Sequence, residues 1–404
     1  MTSYLIFKNR NALSHNYVPD KILHRDEEIK MLSFYLSFVF QGSTPPNVLI
    51  LGKPGTGKTV VTRRVLSDFK KEVERRGVDV AVGYCVATKS PIETLVNLVR
   101  DIGYEDVKYY RGQTFGEVKS TFEDTVGNRM CVVVVDEVDK LVISHRADEL
   151  LYFLTRREKT SLITISNKVF VENMVKDSSV KSSWRPRKIV FKDYDAYQLY
   201  DILKYRAEQS FVDGVIDDGV LRYIAAITVQ RGGDVRYALD VLAMTGDIAS
   251  MEGKGKVTIE LVKRAIEKVE EEYIRESLSS LNFHQKILLL IVALAGEISP
   301  SEAYDVANRV LLILRSDKAP LTQRRWSDHR NELELLGFLE LVARGKGKGR
   351  GWMYSLKIPD MYDPEKLVKY LKEDLLQTIE FDGDESLMAK VVHIIQSYVR
   401  NVKL

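Results

Sequence analysis

The segment Gly52-Lys53-Pro54-Gly55-Thr56-Gly57-Lys58-Thr59 constrains this chain more than any other. It follows a short apolar run at residues 47–51 and opens a stretch, 58–76, that reads as a helix. A glycine-rich loop between a strand and a helix has a mechanism. The glycines let the backbone wrap an anion, so that several N–H groups point at phosphate oxygens. The helix N-terminus adds partial positive charge. Lys58 can reach the β- and γ-phosphates of a nucleotide, and the Thr59 hydroxyl can ligate Mg²⁺. A chance lysine in a glycine-rich turn would not fill all eight positions in this setting.

Such a loop belongs to alternating strands and helices, and residues up to about 193 supply them. Strands are predicted at 78–87, 131–135, 162–165 and 189–191, and a further helix at 91–102 with Ser90 as a possible N-cap. Residues 131–135 carry no polar alternation, as expected of a strand buried on both faces. The fold class is therefore α/β, a parallel sheet covered by helices. From 194 the strands vanish. Helices are predicted at 197–211, 218–231, 235–251 and 259–272, forming a small bundle. A third pattern follows: helices at 283–294, 299–313 and 322–336, a glycine-rich basic turn, a strand at 352–358, and helices at 364–376 and 386–402. Three domains are expected, 1–193, 194–275 and 276–404; 404 residues are too many for one core.

Composition excludes several classes. With 60 Lys and Arg against 57 Asp and Glu the net charge is +3, so the chain is no histone-like polycation and any nucleic-acid surface is a local patch. Cys85 and Cys131 both sit in apolar runs, which suits buried thiols in a reducing compartment. The start has no long apolar stretch, and the most apolar internal run, 287–295, is too short to span a bilayer. A cytoplasmic protein without a membrane partner is expected. The histidines at 15, 24, 145, 284, 329 and 393 show no metal-ligand spacing.

A second segment completes the phosphate site. Val132-Val133-Val134-Val135-Asp136-Glu137 puts Asp136 at the C-terminal end of a buried strand, where open α/β sheets place ligands. Asp136 is placed to hold Mg²⁺, directly or through water, and Glu137 to orient the attacking water. The bland alternative, an acidic helix start after a strand, loses its weight with the phosphate loop upstream. Asn167, after the next strand, is in reach of the γ-phosphate; its alternative is a turn or cap. Arg236 opens a helix at Gly232-Gly233-Asp234-Val235-Arg236 and could reach the nucleotide across a cleft, although these residues alone favour a solvated arginine.

Together these residues resemble an AAA+ ATPase. Further segments narrow the resemblance to archaeal origin-recognition and cell-division-cycle-type replication initiators. They are Tyr17-Val18-Pro19-Asp20-Lys21-Ile22-Leu23-His24-Arg25-Asp26-Glu27-Glu28, Ser182-Ser183-Trp184-Arg185-Pro186-Arg187, Ile202-Leu203-Lys204-Tyr205-Arg206-Ala207-Glu208, and Gly233-Asp234-Val235-Arg236-Tyr237-Ala238-Leu239-Asp240. Arg324-Arg325-Trp326-Ser327-Asp328-His329 with Leu336-Gly337-Phe338-Leu339 matches the family's winged helix. The resemblance covers nearly the whole chain. It implies an α/β AAA+ domain, a four-helix lid and a C-terminal winged helix, with ATP or ADP and Mg²⁺ in the cleft. It places Val18 and Pro19 against the adenine, Arg25 and Tyr205 among the nucleotide contacts, and Asn167 and Arg236 as sensors. It implies an ATP-dependent initiator that recognises duplex origin DNA and promotes helicase loading, associated with the nucleoid. A replicative helicase and paralogous initiators are the implied partners. The family pattern has an arginine, used as a trans-acting finger, where this chain has Ser179. Only weak ATP hydrolysis is therefore expected, and an ADP-bound regulatory DNA-binding protein with little turnover is the alternative.

The DNA surface is expected in residues 318–350, a window with eight Lys or Arg and four Asp or Glu. Thr322, Gln323, Arg324 and Arg325 fall at a helix N-terminus, where a helix-turn-helix presents side chains to base edges. Gln pairs with adenine and Arg with guanine. Arg344, Lys346, Lys348 and Arg350 alternate with glycines in a hairpin tip suited to phosphates or the minor groove. The family also inserts a DNA-touching helical element where this chain has Tyr109-Tyr110-Arg111-Gly112-Gln113-Thr114-Phe115-Gly116. From these residues alone a packed helical hairpin is equally consistent.

Overall fold

The computed structural model describes residues 5–103, 112–143, 147–314, 322–345 and 352–402. The chain divides into two compact units, Met1–Val269 and Glu270–Leu404.

The first unit runs α1 (Asp26–Ser37), β1 (Val48–Leu51), α2 (Lys58–Arg76), β2 (Val80–Val86), α3 (Pro91–Ile102), α4 (Phe115–Val126), β3 (Met130–Asp136), α5 (Asp139–Ile143), α6 (Ala147–Arg156), β4 (Thr160–Ser166), α7 (Val171–Met174), α8 (Ser178–Trp184) and β5 (Arg187–Val190). The five strands form one parallel sheet in the order β2-β3-β4-β1-β5. β3 and β4 lie inside it, and Cys131–Val135 are fully buried, which explains their unbroken apolar run. Leu49, Leu51, Val133 and Val135 pack with α3, α4 and α6. Val48, Ile50, Val132 and Val134 pack on the opposite face with α1 and α2. Leu51 pairs with Ser166 and Val135 with Thr164, so the C-terminal ends of β1, β4 and β3 are adjacent along one edge. That edge carries the phosphate loop, Asn167 and Asp136.

The same unit continues with α9 (Ala196–Ser210), α10 (Asp218–Gln230), α11 (Val235–Met251) and the start of α12 (Ile259–Ser279). Their core contains Leu203, Phe211, Leu242 and Val262 and also Ile6 and Leu13 from the N-terminal segment. Capping boxes start α4 at Thr114 and α9 at Asp195. Gly77, in the left-handed region at φ +64°, ends α2.

The second unit contains α13 (Phe283–Ala295), β6 (Glu297–Ile298), α14 (Pro300–Ile313), α15 (Gln323–Leu335), β7 (Glu340–Gly345), β8 (Trp352–Lys357), α16 (Pro364–Leu376) and α17 (Glu385–Val402). β6, β8 and β7 form an antiparallel sheet in that order. Helix, short strand, two helices and a two-stranded hairpin make a winged helix. Ile287–Val292, Val310, Trp326, Leu333, Leu356 and Leu371 share its core.

The elements differ from expectation in several places. α1, α5, α6, α7, α8 and β6 are not expected from the sequence, β7 lies where only a basic turn is expected, and α12 runs seven residues past its expected end at 272. The N-cap of α1 is Arg25, which makes no side-chain cap, and the only start signal is the acidic first turn Asp26, Glu27 and Glu28. β7 is mostly exposed, and its sequence lacks the apolar alternation of a half-buried strand. No helix among the described residues is long and apolar enough to cross a membrane.

Candidate nucleotide and DNA sites

The loop between β1 and α2 closes only with glycine at two positions. Gly55 and Gly57 lie at φ +72° and +92°. A Cβ on Gly57 would meet the Tyr194 hydroxyl at 2.8 Å. Lys58 is buried, and its ammonium donates to the carbonyls of Gly52 at 2.8 Å and Lys53 at 2.7 Å. Burial lowers its pKa from 10.5 to about 8. The Thr56 hydroxyl donates to the Lys53 carbonyl at 2.8 Å, and the Lys53 ammonium pairs with Asp193 at 2.5 Å.

Asp136 is 3% exposed and accepts three hydrogen bonds. The Thr59 hydroxyl and the Tyr84 hydroxyl each donate to Oδ2 at 2.7 Å, and the Glu137 N–H donates to Oδ1 at 2.8 Å. Burial and the neighbouring carboxylate raise the Tyr84 pKa, so the phenol keeps its proton. Glu137 has φ +55°, an uncommon conformation for a residue with a Cβ and a form of strain that gathers at functional turns. Its carboxylate pairs with Lys140. Asp139 accepts from the Ser166 hydroxyl at 3.0 Å and from the Asn167 N–H at 3.1 Å, fixing the end of β4 against the turn after β3. The Thr59 hydroxyl and the Asp136 carboxylate are hard oxygen donors on the wall of one cavity, a set that suits Mg²⁺. Among the described residues no group of three or more His, Cys, Asp and Glu offers another metal site.

That cavity encloses about 1130 Å³, including its open mouth. It gathers Pro54, Gly55, Gly57, Lys58 and Thr59 with Asp136, Glu137 and Asn167 from the sheet edge, Tyr205 and Arg236 from the helical bundle, and Val18 and Pro19 from the N-terminal segment. Gly52, Lys53 and Thr56 belong to the loop but do not line the cavity. Arg25 also departs from expectation. It is 4% exposed and lies behind the loop. It donates to the carbonyls of Thr56 at 2.9 Å and Lys192 at 2.7 Å and to the Tyr194 hydroxyl at 3.0 Å. Its guanidinium also stacks on Tyr194 at 3.8 Å. Arg25 is a strut, because its donors are consumed by main-chain carbonyls, the Tyr194 hydroxyl and the Glu28 carboxylate. Sequence reading missed Tyr84, Asp139 and His15. Asp139 follows Asp136 by three residues and was readable; Tyr84 and His15 gave no signal beyond being polar. His15 pairs with Asp240 at 2.8 Å, and that hydrogen bond raises its pKa.

In the second unit Thr322 caps α15, its hydroxyl accepting from the Arg325 N–H at 3.4 Å. Gln323, Arg324 and Arg325 are exposed, whereas Trp326 and Leu333 anchor the helix in the core. Arg344 is in β7, paired in register with Met353. Lys346, Lys348 and Arg350 lie outside the described residues, as do residues 109–111 of the expected insertion; α4 follows it.

A parallel sheet of this order, its phosphate loop after β1, the Asp-Glu pair at the end of β3 with β4 between the two, and a helical lid define an AAA+ ATPase fold. Residues 21–165 match the AAA ATPase domain family, and residues 200–267 match the Cdc6 AAA+ ATPase-type lid domain family. An ORC1-type DNA replication protein of Methanothermobacter thermautotrophicus is 38% identical over 370 residues, 92% of this chain and 98% of that protein. The solved structure of the Aeropyrum pernix ORC1 protein in complex with DNA superposes with a TM-score of 0.82 at 30% identity, covering 96% of this chain and 99% of that one. The Aeropyrum pernix ORC2 protein, solved as ADPNP–ADP complexes, shares the fold with a TM-score of 0.60 at 22% identity over 92% of this chain and 98% of that one. The chain belongs to the archaeal ORC1-type family of DNA replication proteins.

Proposed function

We propose that this chain is an ATP-dependent initiator that binds duplex DNA at a replication origin and promotes loading of a replicative helicase, alongside paralogous initiators. The observation that carries the ATP reading is the 2.7 Å bond from Thr59 to Asp136 on the wall of a cleft that the lid also lines. In this reading residues 1–193 hold the nucleotide, 194–275 form the lid and 276–404 carry the main DNA surface. The glycine loop and Lys58 take the β- and γ-phosphates. Val18, Pro19 and Tyr205 enclose the base, while Asn167 and Arg236 sense the γ-phosphate. Thr59 and Asp136 are the residues to hold Mg²⁺. When bound, the metal neutralises charge on the β- and γ-phosphates. Glu137 orients the water. Arg324 and Arg325 with Gln323 face base edges, Thr322 fixes their helix, and Arg344, Lys346, Lys348 and Arg350 meet phosphates.

A second reading is an ADP-bound regulatory DNA-binding protein with little turnover. Two observations favour it. Ser179 stands where the family pattern has its finger arginine, and its hydroxyl is bonded to Asp177 at 2.6 Å. The Glu137 carboxylate is paired with Lys140. The test measures ATP binding and phosphate release in Lys58→Ala and Glu137→Gln, with and without origin DNA. Lys58→Ala should lose binding. Glu137→Gln should keep binding and lose the release. Equal loss of affinity in both variants overturns the assigned roles, and wild-type protein that binds ATP but releases no phosphate even with DNA favours the second reading.

A further inference from the structure

We propose that Asp234 is an internal counter-ion that competes with nucleotide phosphates for Arg236, and so sets how readily the lid arginine engages ATP. The inference rests on the ATP reading above. Asp234 is the N-cap of α11, and its Oδ1 accepts from the Arg236 N–H at 2.8 Å. Capping needs no more than that. Yet the same carboxylate also takes the Arg236 guanidinium, Oδ1 from Nε at 3.2 Å and Oδ2 from Nη2 at 3.0 Å. Arg236 is thereby engaged by a carboxylate through two N–H groups, the geometry that phosphate oxygens use.

The carboxylate also sits on the phosphate loop. A Cβ on Gly55 would come within 1.8 Å of the Asp234 Oδ1, so the side chain rests directly on the loop backbone. Both Asp234 and Arg236 lie close enough to Lys58 to act on its ammonium, with opposite signs. Arg236 also acts on His15 from the N-terminal segment, which pairs with Asp240 one turn further along α11. A fixed negative charge beside an anion-binding loop opposes the ligand, and Arg236 offsets it. Once Arg236 turns to a phosphate, Asp234 loses its partner and repels that phosphate. The cap does not explain a carboxylate here, because Asn and Ser cap equally well without the charge.

The test is a double-mutant cycle read by anisotropy of a fluorescent ATP analogue on the full chain. Asp234→Asn keeps the cap and removes the charge. It should tighten ATP binding by up to about five-fold, the upper end for an ion pair at this exposure. In the Arg236→Ala background the gain should be smaller, because only direct repulsion of the phosphates is then left to relieve and there is no arginine to compete for. An equal gain in both backgrounds means Asp234 acts on the phosphates directly and overturns the proposal. Unchanged or weaker binding in Asp234→Asn also overturns it. Asp234→Ser is measured in parallel and should behave alike, and far-UV circular dichroism checks that α11 is intact. Wild-type protein that binds no ATP would sink the underlying ATP reading and would show as such before any variant is compared.

Discussion

Arg25 gives the sharpest test of how this cleft is built. Arg25→Met keeps most of the apolar stem and deletes every donor. Two main-chain carbonyls, those of Thr56 and Lys192, lose a charged donor. Bonds of that kind contribute about 1.5–3 kcal/mol each. The stack on Tyr194 contributes about 2 kcal/mol in a desolvated setting. Glu28, a 3.2 Å ion-pair partner, is left behind. These terms do not add, because one guanidinium makes them all and its own burial cost disappears with it. The measured loss on removing one partner of a buried pair, about 3–5 kcal/mol, is the better guide.

Not all of that loss reaches the ligand, since the loop can refold around a phosphate. A tenfold to hundredfold weakening of nucleotide binding is expected, which corresponds to about 1.4–2.8 kcal/mol. A strut acts through the loop and not on a particular phosphate, so ATP and ADP should weaken by the same factor. Arg25→Lys should rescue little, because a point charge cannot serve two carbonyls and an aromatic face at once. The assay is nucleotide affinity by fluorescence anisotropy, paired with hydrogen exchange at residues 52–59. A single melting temperature is the wrong readout for a chain of two units. If ATP loses affinity and ADP does not, Arg25 touches the γ-phosphate. If loop protection is unchanged, the strut reading is refuted.

Two further outcomes follow from the site and the winged helix. Lys58 titrates at about 8 in the free protein and phosphate oxygens raise that value, so binding takes up a proton above it; nucleotide affinity should be full below about pH 8 and fall above, by up to about tenfold per unit. Isothermal titration across that range checks it, and a flat profile refutes the role of the charge. On DNA, Arg324→Ala or Arg325→Ala should cost about 1–3 kcal/mol at one base position and lower the ratio of origin to random binding. Lys346→Ala with Lys348→Ala should weaken both DNAs alike and make the salt slope of log K shallower by about 0.9 for each phosphate that is no longer neutralised; a salt titration with both DNAs separates the cases.

Much of this architecture was legible because the governing constraints are local. The phosphate loop must follow a strand and open a helix, and α2 occupies the expected residues 58–76. Ser90 accepts from the Glu93 N–H at 3.3 Å and starts α3 where its sequence indicated. Asp136 ends β3 because a run of valines stops at the first carboxylate. What escaped depends on packing across the chain. Arg25 reads as a surface cation in sequence, and only the meeting of α1, the loop and Tyr194 turns it into a buried strut. Tyr84 reaches Asp136 because β2 and β3 pair with Val86 opposite Asp136, a register that no short segment specifies. The residues of α6 did carry a helical period, with Leu150, Leu151 and Leu154 buried, and an acidic first turn at Asp148 and Glu149.

The cleft has two ends with different mechanical partners. Its phosphate end is built on the sheet edge, where the loop, Asp136 and Asn167 are held by strand pairing. Its other end is lined by Val18 and Pro19, and the segment leading to them is bound to the helical bundle. Arg206 on α9 donates to the Ala12 carbonyl at 2.5 Å and to the Ser14 carbonyl at 3.1 Å. Arg10 forks onto Asp247 of α11 at 2.8 and 2.6 Å, and Phe7 packs on Phe211. Residues 6–15 therefore belong mechanically to the lid although they precede the sheet in sequence. On the proposed reading, in which Arg236 meets the phosphates and Val18 and Pro19 the base, a nucleotide bridging the two ends would join the lid to the sheet from both sides at once. That reading would root any coupling between nucleotide and lid position in the chain order, because the bundle holds residues 6–15 before the sheet begins.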